Sequence, residues 1–453
     1  MQPPEPLDNA HIGHEGGQLK RTLGPLMLWG LGVGYVISGM YFGWNLGLPA
    51  GGTLGLAIAT GFIIVMYLTF TFSYTELACA IPKAGGAFAY ATRTLGPRWG
   101  FLGGMAQNIE FIFAPPAIAN ALAVYLHTWL AVPVEVIAIV ALIVFALLNI
   151  SGVRNAAIFE LAITIIAVVE LLIFAGATLP SFEMANLTHN ALPHGYTGIF
   201  AALPFAIWFF LAIEGVANVA EETINPQRNV LIGFGSAILT LVVLCVLVFA
   251  SSVGVAGWEA IVYEPGTNQL SDRPLPLALG QIYDTNHWLY HLLITIGLFG
   301  LVASLHGIIL AAGRSTFEFG RVGFAPKALG KVNARFNTPA NAILFNMGIG
   351  IVTVLTGKTN EIITIAVMGA LTLYIVSMIS LLRLRKTEPN LERPFKAPLY
   401  PLFPIIALVI ASVSLIAMAI YNWQLALIYA GILAVAYVYY FVVVERKVGN
   451  ETH

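Results

Sequence analysis

Charged residues are scarce in this sequence. Asp, Glu, Lys and Arg make up 9% of its 453 residues, whereas 58% are hydrophobic. Soluble globular proteins carry about 25% charged residues. Long apolar runs recur from residue 24 to the C-terminus, and a run of about 20 such residues crosses a bilayer as a helix. The composition therefore predicts an all-α membrane protein that crosses the bilayer many times.

Other features that the sequence lacks argue against several functional classes. The formal net charge of −1 provides no basic surface for nucleic acid. Cys79 and Cys245 both lie in apolar stretches without metal-ligand spacing, so we expect buried thiols rather than a disulfide or a metal site. We find no His or Cys cluster, no nucleophile motif and no G-x-x-x-x-G-K-[ST] phosphate loop. These absences argue against a membrane enzyme and against ATP-driven transport, and we expect no cofactor.

Twelve apolar segments are candidate membrane spans, and the shortest have about 16 residues. We expect a polar tail over 1–23, a core of ten spans over 24–382, and two further spans with a C-terminal tail over 383–453. The twelve spans are Gly24–Leu48, Gly55–Ile81, Gly103–Trp129, Val134–Asn149, Ala156–Ala177, Ile199–Ala220, Val230–Val255, Leu289–Ala312, Ala340–Leu355, Ile362–Leu382, Leu399–Tyr421 and Leu425–Val444.

The distribution of Lys and Arg supports this count. If the N-terminus is cytoplasmic and every span crosses, nineteen of the 21 Lys and Arg residues fall inside, and Arg273 and Lys358 fall outside. Cytoplasmic loops are enriched in these residues. The first 23 residues lack the apolar core of a cleaved signal peptide. We therefore predict a multi-pass protein of the plasma or bacterial inner membrane with both termini in the cytoplasm.

Five glutamates lie inside apolar runs of the sequence. One of them, Glu214, lies in the middle of the broken apolar segment FAIWFFLAIEGVANVAEE, and the others are Glu76, Glu110, Glu160 and Glu170. A charge at the centre of a bilayer costs at least about 2.5 kcal/mol, so such a residue by default indicates a functional site. These carboxylates point to a transport pathway.

Two of the spans contain residues that interrupt a helix. The sixth has Pro204 and Gly215, and the first has four glycines within twelve residues: Gly32, Gly34, Gly39 and Gly43. Spans one to five and six to ten form two units of five, and because five is odd, the second unit enters from the opposite side. This layout is typical of an inverted repeat whose discontinuous helices meet at the midplane. Alternatively, the glycines only permit close helix packing.

Four stretches of the chain resemble the amino acid–polyamine–organocation superfamily of transporters. They are SYTELACAIPKAGGAFAYATRTLGPRWGFLGG from Ser73, EGVANVAEETINPQRNV from Glu214, GRSTFEFGRVGFAPKALGKVNARFNTPANA from Gly313, and RPFKAPLYPLFP from Arg393. The sequence around SGMYFGWNLGLP and LAIEGVANVAEE looks most like that of the ethanolamine permease branch. The resemblance implies five-plus-five inverted repeats, two extra helices and alternating access. It implies a permease for a small amine, above all ethanolamine; the alternatives are an amino acid permease or exchanger, and a channel or sensor of the same fold.

The resemblance also places a substrate between unwound parts of the first and sixth helices. There, free N–H groups of the first helix would hold a substrate carboxylate. Met40 is bulky beside this site, which favours a substrate without a carboxylate. The implied substrate-binding residues are Ile37, Ser38, Gly39, Met40 and Tyr41 of the first span, Glu110 of the third, and Trp208, Phe209, Phe210, Ala212, Ile213 and Glu214 of the sixth.

Several of these residues also have a purely structural interpretation. Glu214 either binds a substrate ammonium, takes up a proton, or is a structural carboxylate bonded to nearby groups. Glu110 either contacts the substrate or supports another site residue. At least one of Trp208, Phe209 and Phe210 is expected to face lipid or to serve packing alone, because the three point in different directions around a helix.

For the coupling ion, we expect a proton rather than sodium. Proton-coupled relatives place a Lys in the fifth helix, at a position near Ala167 here, and this span has no Lys. The remaining proton candidates are Glu214, Glu170 and His306, although Glu170 and His306 also fit structural hydrogen bonds. Only Ser304 provides a hydroxyl near the depth of a sodium site.

The acidic residues near the cytoplasmic ends of spans have a simpler interpretation. Glu76, Glu221 and Glu222 lie beside Arg and Lys, and we expect them to form gate or loop ion pairs. We expect Glu160 to be structural.

Overall fold

The computed structural model describes residues 21–82, 85–127, 129–151, 153–284 and 286–445, without the side chains of residues 153–157 and 221. Residues 1–20 of the predicted N-terminal tail and residues 446–453 at the C-terminus lie outside these ranges and are not described. The α-helices are α1 Pro25–Val36, α2 Ser38–Tyr41, α3 Leu48–Ala80, α4 Ala87–Leu95, α5 Pro97–His127, α6 Val134–Ile150, α7 Val153–Thr178, α8 Met184–Thr188, α9 Thr197–Ala201, α10 Leu203–Trp208, α11 Pro226–Ala256, α12 Glu259–Val262, α13 Pro274–Gly280, α14 Trp288–Arg321, α15 Ala340–Val354, α16 Thr359–Thr387, α17 Leu402–Tyr421 and α18 Trp423–Tyr439. Short 3₁₀ helices cover Trp44–Gly47, Leu179–Ser181 and Ile213–Glu222, and a π-helical turn covers Tyr440–Val444.

Most predicted spans correspond to apolar helices. Among the described residues, eight helical segments are long and apolar enough to cross a membrane, and three shorter apolar ones cover Pro25–Tyr41, Val134–Ile150 and Ala340–Val354. The predicted sixth span is divided between α9, α10 and the 3₁₀ helix Ile213–Glu222. In the described part of the chain the regular elements are all helical, which is consistent with a polytopic membrane protein.

Some predicted boundaries were wrong. Leu48, predicted as the end of the first span, begins α3. Helix α3 is kinked at Gly52, with φ 64° and ψ −176°, so its regular part begins close to the predicted Gly55. The third helix, α5, begins at Pro97 rather than at Gly103. Helices can extend beyond the apolar stretch that the sequence reveals, and Pro at the first position favours a start there because its missing N–H has no helical partner to lose.

The helix packing surrounds α1, α10 and the 3₁₀ helix Ile213–Glu222. Helix α5 packs on α14 and α16, while α1 packs on α7, α11 and α14. The outer faces are apolar: Val243, Val352 and Val435 are each more than 60% exposed. Such an apolar exterior suits lipid, so the polar groups that remain in the interior form the candidate site.

Candidate functional site

A side chain from α14 opens the first helix between α1 and α2. The Ser304 hydroxyl donates to the Gly34 carbonyl at 2.6 Å and accepts the Ser38 N–H at 2.8 Å. It thereby replaces the backbone bond that a continuous helix would form between these two residues. The sequence marked this segment by its glycines, but nothing local indicated that a residue 266 positions away would enter it.

The chain then unwinds later than predicted. The helix is interrupted before Ser38, within the segment that the resemblance implies to be unwound, but Ser38–Tyr41 is itself a helical turn whose last bond runs from the Phe42 N–H to the Ser38 carbonyl. The backbone leaves the helix at Phe42, with φ −161° and ψ 175°, and at Gly43, with φ 88°. Gly43 suits this turn, since a left-handed residue with a side chain would be strained and would collide with the ring of Trp208.

The second break lies at Ala212, which adopts a left-handed conformation with φ 74° and ψ 7°. Helix α10 ends at Trp208, and the 3₁₀ helix begins at Ile213. A left-handed residue other than glycine costs about 1–3 kcal/mol and persists only when its surroundings enforce it. Here the Glu110 carboxylate accepts the Ala212 N–H at 3.1 Å, so Glu110 supports the break from α5.

Glu214 follows this break by two residues and is held from α16. Its Oε2 accepts the Tyr374 hydroxyl at 3.0 Å, and the Tyr374 hydroxyl lies 3.0 Å from that of Tyr67. The Tyr67 hydroxyl also lies 3.4 Å from the carbonyl of Ile207, just before the break. Two tyrosines thus connect Glu214 to α3 and to the end of α10.

Glu110 and Glu214 form an acidic pair beside the break. Their carboxyl groups interact with each other and are almost completely buried. Apart from the contact between the two carboxyl groups, Oε2 of Glu110 and Oε1 of Glu214 have no hydrogen-bond partner among the described residues, and no ion pair to either carboxylate is present there. Two adjacent buried carboxylates repel each other when both are ionised. The pair is therefore suited to bind a cationic group or a proton.

The three aromatic residues before the break are all buried. Trp208 meets the edge of Phe42 at 5.4 Å, and Phe209 stacks on Trp44 at 5.7 Å. Phe210 packs at 5.2 Å from the ring of Tyr67. All three side chains are buried, which fits the packing alternative of the prediction.

The two breaks touch each other directly. A Cβ added at Gly39 would lie 2.6 Å from the Trp208 carbonyl oxygen and 3.0 Å from Phe209 Cα. Ile37, Met40 and Ile213 are fully buried around this contact. The backbone of α2 and that of the sixth predicted span therefore lie side by side.

Tyr41 faces away from the acidic pair and toward α7. Its hydroxyl donates to Glu170 Oε2 at 2.5 Å and lies 3.2 Å from the Ala167 carbonyl. Its own carbonyl accepts the Tyr125 hydroxyl. Tyr41, Tyr125 and Glu170 line a small cavity together with α13 and α14. Glu170 thus anchors α2 to α7.

His306 and Glu160 lie together, which the sequence did not indicate. The imidazole Nδ1 is 2.8 Å from Glu160 Oε2, and both side chains are fully buried. The sequence singled out each residue separately, and its spacing gave no sign that α7 and α14 pair them.

The acidic residues near one end of the bundle form ion pairs, as predicted. Arg385 donates twice to Glu76, at 2.8 and 2.6 Å, and Arg314 pairs with Glu222 at 2.6 Å. The side chain of Glu221 lies outside the described part. These contacts fix α16 to α3 and α14 to the end of the 3₁₀ helix.

Comparison with known proteins identifies the family of this chain. A sequence profile of the amino acid permeases matches residues 23–443. The chain belongs to the amino acid permease family. The resemblance predicted from the sequence is thereby confirmed at the level of the amino acid–polyamine–organocation superfamily, and the finer ethanolamine branch stays a prediction.

Three relatives illustrate what the permease is similar to. An uncharacterized transporter of Rhizobium meliloti is 27% identical over 423 residues, covering 90% of this chain and 89% of that protein. A branched-chain amino acid permease of Bacillus subtilis is 25% identical over 415 residues, covering 86% of each chain. A methylthioribose transporter of Bacillus subtilis is 25% identical over 430 residues, covering 89% of each. The family and these relatives are transporters rather than enzymes.

Proposed function

We propose that this permease is a secondary transporter that moves an amino acid across the plasma or bacterial inner membrane by alternating access. The observation that carries the proposal is the acidic pair Glu110–Glu214 beside the meeting point of two helix breaks. The family and the Bacillus subtilis branched-chain permease favour an amino acid as the substrate. In this proposal, twelve spans form two inverted five-helix repeats within residues 24–382, and both termini are cytoplasmic.

The substrate ammonium binds the acidic pair. A primary ammonium provides three donors and one positive charge, which match the two carboxylate oxygens that lack partners. Trp208 and Phe209 provide the aromatic surface of the site, and cation–π contact contributes about 0.5–2 kcal/mol. The backbone of α2 lies beside this site, but the N–H groups of Ile37, Ser38 and Met40 already donate to Val33, Ser304 and Ile37. The acidic pair therefore carries the binding in this proposal.

A small amine such as ethanolamine is the second candidate. Two carboxylates without a nearby paired cation fit a ligand that carries positive charge and no carboxylate. Met40 occupies space beside α2 where a substrate carboxylate would otherwise lie. The acidic pair therefore accepts both classes, and only direct measurement separates them.

Counterflow in proteoliposomes tests the proposal. The purified protein is reconstituted into vesicles that contain an unlabelled amino acid or amine, and uptake of the same compound in labelled form is measured. The panel of compounds consists of neutral and cationic amino acids, ethanolamine and choline. We expect saturable counterflow of at least one amino acid. Counterflow of ethanolamine alone would replace the amino acid by the second candidate, and flux without saturation or counterflow would indicate a channel and contradict the proposal.

A further inference from the structure

Glu160 and His306 form a buried acid–base pair separate from the acidic pair at the break. Besides their mutual contact at 2.8 Å, Glu160 Oε1 and His306 Nε2 have no hydrogen-bond partner within the described residues. The ring of Phe159 meets the imidazole at 5.4 Å, and that of Phe145 meets it at 6.2 Å. The pair is thus enclosed largely by apolar groups.

The pair lies against the opened part of the first helix. A Cβ at Gly34 would lie 2.1 Å from Glu160 Oε1, and one at Gly307 would lie 2.8 Å from the same atom. Gly34 is also the residue whose carbonyl accepts the Ser304 hydroxyl. A displacement of α1 from α14 would therefore uncover Glu160 and break this bond in the same movement.

Few charged groups face the pair from the neighbouring helices. From α1, the Tyr35 hydroxyl is buried without a described partner and interacts with Glu160, Arg314 and Glu222. Arg314, two turns beyond His306 on α14, is paired with Glu222. The charge of Arg314 is therefore already compensated.

Two neighbouring helices bring no charge close to the pair, although α6 carries Glu135 in its first turn and α11 carries Arg228 near its start. From α6, the Asn149 amide donates to the His306 carbonyl at 3.1 Å. Helix α11 has no Asp, Glu, Lys or Arg between Val230 and Ala256. Among the described residues, neither Glu160 nor His306 forms an ion pair except with the other.

A carboxylate and an imidazole exchange one proton with a defined change of charge. With the proton the pair is neutral overall, either as an ion pair or as a carboxylic acid beside a neutral imidazole. Without it, the net charge is −1, and a buried charge without a partner costs several kcal/mol. While the pair stays buried, the state that holds the proton is therefore favoured. The proton can leave when water reaches Glu160.

We propose that the Glu160–His306 pair is the proton-binding site that couples transport to a proton gradient. The inference rests on the proposed transport function and adds the coupling ion and its carrier. The proton enters when the pair is open to the acidic side, crosses on the pair while α1 is closed, and leaves to the other side when α1 moves.

The test compares two modes of transport in the same proteoliposomes. Counterflow exchanges substrate for substrate and needs no net proton movement, whereas net accumulation driven by an acidic exterior does. We use Glu160→Gln, which resembles the proton-loaded carboxyl, and His306→Gln. Glu361→Gln is the matched control, since Glu361 is 43% exposed and pairs with Lys358 away from the interior.

We expect the wild type and Glu361→Gln to show both modes. Glu160→Gln and His306→Gln should keep counterflow within about two-fold and lose at least ten-fold of the pH-driven accumulation. The inference is overturned if either variant accumulates substrate like the wild type, if both lose counterflow, or if the wild type shows counterflow without any response to the pH gradient. Absence of counterflow for every amino acid and amine in the wild type would instead contradict the proposed function.

Discussion

The carboxylate of Glu110 accepts the backbone N–H of Ala212 at 3.1 Å. Ala212 is the left-handed residue at which the sixth predicted span changes from α-helix to 3₁₀ helix. A carboxylate on one helix thus satisfies a backbone donor that the break of another helix would leave unpaired. This contact places one half of the acidic pair at the candidate site and explains why Glu110 is needed even without a substrate.

Two substitutions of Glu110 separate its structural and binding roles. Glu110→Gln keeps an oxygen that accepts the Ala212 N–H, so we expect nearly unchanged thermal stability in detergent. Glu110→Ala leaves that donor buried without a partner and should cost about 1–3 kcal/mol. Thermal unfolding of the two purified variants beside the wild type measures the difference, and equal stability of the two variants would contradict the structural role.

Gly39 permits the contact between the two breaks. In Gly39→Ala the new methyl would lie 2.6 Å from the Trp208 carbonyl oxygen, so the backbones must separate. We expect loss of at least ten-fold in counterflow and a lower melting temperature. Gly61→Ala is the control, because nothing lies within 4 Å of its new methyl. Alanine in place of glycine within a helix raises the stability of the fold by up to about 1 kcal/mol. Equal transport by both variants would show that the contact is dispensable.

The hydroxyl of Ser304 keeps the first helix open. In Ser304→Ala, Gly34 and Ser38 can form a direct helical bond, so we expect slower transport with stability unchanged or raised. Ser304→Thr retains the hydroxyl and should transport at close to the wild-type rate. Counterflow rates and melting temperatures of both variants check this, and a fully active Ser304→Ala would show that the insertion has no functional role.

The loop before α13 should respond to acid. Partial burial of Glu264 raises its pKa, but hydrogen bonds from Arg273 and Ser271 outweigh this and hold the pKa below the ordinary value of 4.5. Because the folded-state pKa is depressed, the stabilisation is present at neutral pH and is lost as the pH falls through the folded-state value. The same loop is fastened to Asn45, whose amide donates to the Ser271 carbonyl at 2.7 Å.

Hydrogen exchange over residues 257–273 measures this response. We expect faster exchange in the wild type below pH 4.5 than at pH 7, beyond the intrinsic pH effect, and faster exchange in Glu264→Gln already at pH 7. The loss should be about 1 kcal/mol or less, since both side chains of the ion pair are 26% exposed. Identical exchange of variant and wild type at pH 7 would contradict the role of Glu264.

The sequence predicted the parts of this account that depend on local pattern. Apolar runs located the membrane helices, and the interrupted segments around Gly39 and Glu214 indicated where helices break. The positions of the breaks were less accurate. Ser304 of α14 interrupts the first helix between Gly34 and Ser38, and the chain leaves the helix only at Phe42 and Gly43, beside the ring of Trp208.

Pairings between distant residues could not be read from the sequence. Glu160 and His306 are 146 positions apart, and no sequence motif links the two positions. The replacement of the Gly34–Ser38 backbone hydrogen bond by Ser304 likewise depends on the packing between α1 and α14. Periodicity shows which face of a helix is apolar, but it does not say which two polar residues will meet within the bundle.

Binding of a cationic ligand to Glu214→Gln tests the central claim most directly. Affinity for the best substrate of the counterflow panel is measured by calorimetry in wild type, Glu214→Gln and the surface control Glu361→Gln, with melting temperatures as the check on folding. The account predicts at least a ten-fold weaker affinity in Glu214→Gln, unchanged affinity in the control, and similar melting temperatures. Unchanged affinity in a folded Glu214→Gln protein would show that the acidic pair does not bind the substrate ammonium.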